Sequence, residues 1–514
     1  MCMGFTMATA APPTAPAQPA APTPTRSGIL RSLGIVGYDA LEPVVLASIA
    51  TETPLLLIGP HGTAKSLLLC RLAQALRLTW RHYNASLVNY DDLIGYPLPD
   101  ASGKLAFVQT PASIWDAEVV FVDELSRARP DMLNRLFPII HEKVVQGMPL
   151  PRLRHRWAAM NPPSGGDAAD DAAPASSGTD YLGSEPLDPA LADRFGFVVG
   201  VPVWGSLSPQ DQDAVITSND FPVDHAAGHL LRRSIREIQR ELPLLGSYAS
   251  AMVAEAVREL MRHAAELQLG WSGRRAAMIH RNILAVHAAR LVQRADADLV
   301  ESSWLAVRSS IPQRAQGLDF HSVRLKVAHD SVWKTVRLDL ADPRRALASE
   351  PDPVRRAVRA AVLTELELQE RSAYVADALA HLPPGGRQAL GHWLVERGHA
   401  ASLMASVAEQ CAQLFAQVAG CPSVKGGVRS GSLEHQAWDE ILTALESRGG
   451  TEDFPLLSNL LPALHTADQI TAPGQTQAAI ESWIAVREIV GLGAELPPAG
   501  PRSGPVRNRK GRSS

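Results

Sequence analysis

Cysteine is scarce in this chain. Four occur in 514 residues, Cys2, Cys70, Cys411 and Cys421, too few and too scattered for a disulfide framework or a thiolate zinc site. They read as reduced thiols. His-Glu-x-x-His and comparable spacings are missing too, so no structural metal is expected. Charge of one sign is lacking: 49 basic and 53 acidic side chains leave a formal net charge of −4. That balance argues against a chain held to nucleic acid by its overall field. With aromatics at 5%, no aromatic-lined face for single strands is recognisable. No run of about 18 apolar residues exists, so no segment is expected to span a bilayer. Internal repeats are absent. The first 27 residues are rich in Ala, Pro and Thr and have no charged region leading into an apolar one. They read as a disordered leader rather than a signal peptide, which makes a cytoplasmic location the expectation.

What is present begins at Leu55. The run LLLIGPHGTAKS, Leu55 to Ser66, is an apolar strand entering Gly-x-x-Gly-x-x-Lys-Ser. Such a turn lets successive backbone N–H groups face a phosphate, while the lysine adds a point charge and the hydroxyl can reach Mg²⁺. Gly59, Pro60, His61, Gly62, Thr63, Ala64, Lys65 and Ser66 are therefore the candidate nucleotide-binding residues. A helix over Leu67 to Leu76 would aim its positive end at the anion. Ala64 departs from the generic P-loop glycine, and an alanine there is expected to keep φ negative.

Further along, Val119-Val-Phe-Val-Asp-Glu is an apolar strand ending in two acids. Asp123 can hold the magnesium shell with Ser66, and Glu124 can polarise water for attack on the γ-phosphate. Another apolar run, Trp157 to Met160, ends in Asn161, whose amide carries donor and acceptor on one group. Arg194 follows in LADRF. These strand-like runs alternate with helical segments from Ile29 to about Val201, which argues for a parallel sheet wrapped by helices.

Taken in order, GPHGTAKS (59 to 66), DDLIGYPLP (91 to 99), VVFVDELSRARP (119 to 130), AAMNP (158 to 162), LADRF (191 to 195) and Ser272-Gly-Arg-Arg resemble the AAA+ ATPases, in particular the MoxR-like branch that includes RavA relatives. Alanine before the lysine is usual in that branch. The resemblance covers roughly Ile29 to Gly317. It implies an α/β AAA+ P-loop core with a parallel sheet and helical lid, followed by an α-helical C-terminal region outside the family pattern. It also implies ATP and Mg²⁺ as cofactors, Asn161 as sensor 1, Arg194 as a finger acting on a neighbour's nucleotide, and Arg274 or its neighbour Arg275 as sensor 2. A trans-acting arginine implies a ring, with six subunits the family expectation. Family members often act on a partner protein with a von Willebrand A domain.

The expected organisation is a leader at 1–27, a nucleotide core at 28–208, a helical lid at 209–317, a helical region at 318–493 serving as partner dock, and a basic disordered tail at 494–514. In the lid, Ile279, Ile283 and Val286 share a helix face. Farther on, Val354, Val358, Val362 and Leu366 form one stripe, and Leu403, Val407, Cys411, Leu414 and Val418 another. Between Asn89 and Trp115, where the family carries a helix-2 insertion, Gly95, Pro97, Pro99 and Gly103 should break any helix. Lys143 to Trp157 reads as a hairpin with Arg152, Arg154 and Arg156 on one strand face, and Ser164 to Asp188 as a loop. The expected function is a hexameric MoxR-type ATPase remodelling a partner protein. The alternatives are a nucleic-acid motor or loader using those arginines and the basic tail, and a nucleotide-gated scaffold with little turnover.

Overall fold

The computed structural model describes residues 28–99, 101–103, 105–163, 183–217, 225–318, 320–339, 341–420 and 430–492. The expected leader, the terminal tail and most of the loop beginning at Ser164 lie outside the described residues. The chain divides between Trp333 and Lys334 into two compact units.

Among the described residues the first unit has nine strands: β1 Leu55–Ile58, β2 Trp80–Asn84, β3 Tyr96–Pro99, β4 Leu105–Val108, β5 Val119–Asp123, β6 Val144–Val145, β7 Met148–Pro149, β8 His155–Met160 and β9 Phe197–Gly200. Five of them form one sheet in the order β2-β5-β8-β1-β9, with every pairing parallel. Parallel strands need helical crossovers that cover both faces. Accordingly β1 and β8 are buried at every position; β1 is an uninterrupted apolar run, and β8 is apolar from Trp157 to Met160 after a buried His155 and Arg156. The chain leaves β1 for the far edge at β2, returns through β5 and β8, and emerges on the other side of β1 as β9. Strand order therefore reverses at β1, and a crevice forms beyond its carboxyl end.

As expected from its glycines and prolines, the segment after Asn89 is not a long helix. A helix over Tyr90–Ile94 stops at Gly95, whose φ of 93° needs glycine, and an antiparallel β3–β4 hairpin follows. The second hairpin, β6–β7, is shorter than its sequence indicated, and it turns through Gln146 and Gly147 with φ of 48° and 78°. The three arginines after it do not share an exposed strand face. Arg152 and Arg154 precede β8, and Arg154 instead pairs with Glu52 at 2.9 Å. Arg156 is buried and donates to the carbonyls of Ile140 and Glu52, both at 3.0 Å. Open carbonyls at the ends of two helices, Pro130–Glu142 and Glu42–Thr51, recruit Arg156, the Glu52 carboxylate recruits Arg154, and period two alone could not foresee either.

Beyond β9 the described residues contain no further strand. The helix Gly273–Gln293 buries Ile279, Ile283 and Val286 as its pattern requires. In the second unit, Asp-Pro pairs open two helices: Asp342 and Asp352 accept N–H bonds from their first turns, and proline occupies the first helical position. One stripe is corrected here. The helix Pro353–Val362 buries Val354 and Val358, but Val362 is 52% exposed and Leu366 lies past the helix end. Arg371 explains the break, because its guanidinium collects the carbonyls of Ala360, Leu363, Leu366 and Ser402, and Leu363 and Leu366 must leave the helix to reach it. The other stripe holds from Val407 on in the helix Ala405–Ala419, with Cys411 and Val418 fully buried, while Leu403 is buried just before the helix begins.

His155 supplies a pH test of the first unit. Burial above all, then Arg154, pushes its imidazole down to about 3. The folded state therefore keeps it neutral, while the unfolded chain protonates near pH 6.5. Its contribution to stability is complete above that pH and is lost as pH falls toward 3, at about 1.4 kcal/mol per unit. Between pH 7 and pH 5, wild type should lose about 2 kcal/mol more than His155→Phe, as read from urea unfolding midpoints at both values.

Candidate functional site

Where β1 ends, the chain makes a turn that continues into the helix Lys65–Leu76. That helix starts two residues earlier than its sequence indicated, because Lys65 is already its first residue. The turn needs the glycine at Gly62, with φ 76°, and a Cβ on Gly59 would lie 2.3 Å from Val201 Cγ2. Ala64 does not keep φ negative as expected. It is the helix N-cap residue in the left-handed region, φ 59° and ψ 21°. Residues alternating between right- and left-handed conformations make successive N–H groups converge on an anion, and that geometry overrides the alanine's preference at about 1–2 kcal/mol.

A cavity of about 320 Å³ opens beside this turn, lined by His61, Gly62, Thr63, Ala64, Lys65, Ser66, Leu67, Asp123, Glu124, Met160 and Asn161. Three strand ends thus meet there: β1 through the turn, β5 through Asp123 and Glu124, and β8 through Asn161. Lys65 is 8% exposed, and its ammonium donates to the carbonyls of Gly59 and Pro60, both at 2.7 Å. Burial lowers its pKa to about 8, opposed by Asp123 and Glu124. Ser66 donates its hydroxyl to Asp123 Oδ2 at 2.6 Å. Burial would raise the Asp123 carboxyl, but His82, Ser66 and the Glu124 N–H outweigh it and hold the group below the usual carboxylate range. Glu124 sits in a left-handed turn, φ 54°, which points the chain away from β5, and its Oε2 lies 3.8 Å from Arg127 Nη1.

His82 was not foreseen from sequence. It stands on β2 opposite Phe121, stacks on that ring at 4.5 Å, and brings Nε2 to 3.5 Å from Asp123 Oδ2. Only the pairing of β2 with β5 makes these residues neighbours.

Four expected site residues do not line this cavity: Gly59 and Pro60, which act on it through the carbonyls that hold Lys65, and Arg194 and Arg274. Arg194 follows the short helix Pro189–Ala192, donates to the Ala190 carbonyl at 2.7 Å and places its guanidinium 4.8 Å from the Phe137 ring centre. Arg274 is also apart, with a side chain 44% exposed and 3.9 Å from Asp193 Oδ2. Its neighbour is wholly different. Arg275 has no exposed side chain and donates to the Asp193 carboxylate and the carbonyls of Asp193, Phe195, Gly196 and Ser310. Those bonds tie the helix Gly273–Gln293 to the entrance of β9 and leave Arg275 no freedom to reach a phosphate. Ser272 completes the junction by capping the helix through the Arg275 N–H and donating to Asp193.

Residues 54–195 match the family model of the AAA domain, dynein-related subfamily. No curated protein matches the chain. Among solved structures, a candidate ATPase from Cytophaga hutchinsonii is 20% identical at a TM-score of 0.39, over 60% of this chain and 92% of the other. An MCM homolog from Methanopyrus kandleri is 16% identical at 0.37, over 57% and 59% of the two chains. The match over residues 54–195 and the five-stranded parallel sheet give the first unit an AAA P-loop fold, and such a domain implies nucleotide binding. Among the described residues no helix is long and apolar enough to cross a membrane, and no cluster of His, Cys, Asp and Glu could hold a metal by itself.

The adjacent arginines should separate cleanly. Arg275→Ala should cost about 3 kcal/mol or more, because the part-buried Asp193 carboxylate loses its close partner and several buried carbonyls lose their donor. Arg274→Ala should stay within about 0.5 kcal/mol, as for other exposed pairs. Chemical unfolding of the two variants reads the difference.

Proposed function

We propose that this chain is a MoxR-type AAA+ ATPase that hydrolyses ATP in a hexameric ring to remodel or activate a partner protein. The observation that carries the reading is the meeting of Lys65, Ser66, Asp123, Glu124 and Asn161 around one cavity at the carboxyl end of β1. A buried ammonium whose charge is disfavoured and bonded only to neutral carbonyls and a hydroxyl gains most from a phosphate oxygen. The Ser66 hydroxyl and Asp123 carboxylate form an all-oxygen pair of the kind Mg²⁺ prefers, so the residues present fit a magnesium nucleotide. Bound Mg²⁺ would neutralise charge developing on the phosphates.

Within this reading Glu124 takes the water's proton, Asn161 orients that water and the γ-phosphate, and Arg274 senses the nucleotide from the lid. Arg194, outside its own chain's cavity, serves the neighbouring subunit. The helical region after about residue 318 is the partner dock, and the expected partner class is a protein with a von Willebrand A domain. A nucleic-acid motor is the weaker reading, since Arg154 and Arg156 are already engaged within the fold.

Glu124→Gln should keep nucleotide binding while turnover falls about 100-fold or more. With ATP and Mg²⁺ it should shift to a hexamer by mass photometry. Persistence as a monomer or dimer would overturn the ring and the trans role of Arg194. Mixing Arg194→Ala with Lys65→Ala subunits should restore part of the turnover that each lacks alone.

A further inference from the structure

In the phosphate loop, Ala64 is the residue whose conformation its side chain disfavours, at φ 59° and ψ 21°. Strained backbone of this kind persists only where the surroundings over-determine it. Two hydrogen bonds bracket it. On the helix side the Leu68 N–H donates to the Ala64 carbonyl at 2.9 Å, which holds the peptide plane that sets ψ. On the other side the Tyr38 hydroxyl donates to the Thr63 carbonyl at 2.6 Å, which holds the plane that sets φ.

We infer that Tyr38 is a positioning residue for the nucleotide, locking the Thr63–Ala64 peptide so that the Ala64 N–H faces the phosphate cavity. The peptide is planar and trans, so its C=O and N–H point in opposite directions. A carbonyl held toward Tyr38 turns the following N–H the other way, which is the orientation a phosphate nest requires. Release of that carbonyl lets the plane rotate and relieve the alanine, at the expense of one phosphate donor. A glycine at this position would have little strain to relieve, because it occupies both signs of φ with comparable ease.

Tyr38 is suited to the task. It is 2% exposed, in the segment just before the helix Glu42–Thr51, so its ring is fixed by packing. Burial pushes the phenol's pKa up, which keeps the hydroxyl a donor. The Thr63 side chain does not compete for its own carbonyl, since its hydroxyl donates to Pro60 at 2.7 Å. No part of the phosphate motif announces a tyrosine 25 residues upstream.

The inference rests on the nucleotide reading of the cavity, and one experiment separates the two. Binding of a fluorescent ATP analogue with Mg²⁺, together with steady-state turnover, is compared for the full wild-type chain, Tyr38→Phe, Ala64→Gly and the double variant. Tyr38→Phe should weaken binding about tenfold, the scale of one buried hydrogen bond. KM should rise accordingly while kcat stays within about twofold. In the Ala64→Gly background the same change should alter affinity by less than about twofold. Unchanged affinity in Tyr38→Phe, or an equal loss in both backgrounds, would overturn the clamp while leaving the nucleotide reading intact. Absence of binding by wild type would overturn the nucleotide reading and the clamp with it.

Discussion

A buried ammonium organises the first unit. Lys65 is 8% exposed at the end of a fully buried strand, and a charge in that position is unstable unless its surroundings answer it. The carbonyls of Gly59 and Pro60 do so directly, and the acids at the end of β5 do so through the field. For those acids to be near, β5 must lie close to β1 in the sheet, with only β8 between them. For the carbonyls to be near, the loop must curl back on itself, and that curl forces Ala64 into the left-handed region. Loop conformation and acid placement thus answer one demand: a buried cation held among the loop's carbonyls and within the field of the β5 acids.

Three buried arginines show the same physics at other places in the chain. Arg156, Arg275 and Arg371 are each buried, and each gathers backbone carbonyls from several segments. A planar guanidinium with five donors can close several chain ends at once, which makes it a fastener between elements distant in sequence. Arg274 and Arg275 are adjacent, yet one is half in solvent and the other fully enclosed. Their opposite fates follow from the helical rotation between successive residues, which leaves Arg274 outward at the rim of Asp193 and turns Arg275 inward to Asp193 and the β9 entrance.

Much of this was legible beforehand because the signals are local. Apolar runs marked β1, β5 and β8; the acid pair after Val122 and the amide after Met160 marked strand tips; Gly95 stopped a helix where it should. Failures came where a distant partner decided the outcome. Ala64 was expected at negative φ on intrinsic preference, but the loop's hydrogen bonds outvoted it. Arg152, Arg154 and Arg156 were read as a face because they alternate, but the Glu52 carboxylate claimed Arg154 and two open carbonyls at helix ends claimed Arg156. The stripe from Val354 to Leu366 had helical spacing, and Arg371 nonetheless drew its last turn into a loop.

By itself the sequence marked the candidate residues: a glycine-rich turn carrying Lys65 and Ser66 after one apolar strand, and the acid pair Asp123 and Glu124 after another, because each depends on residue types at short fixed spacings. It also determined that strands give way to helices after about Val201. Only the tertiary structure decided which strand lies beside which, and so that His82 meets Asp123, that Asn161 lines the same cavity as Lys65, and that Tyr38 reaches the Thr63 carbonyl. Those contacts join residues 25 to about 100 positions apart. A hydrogen bond is made by proximity and direction, and periodicity within one segment carries neither for a partner in another.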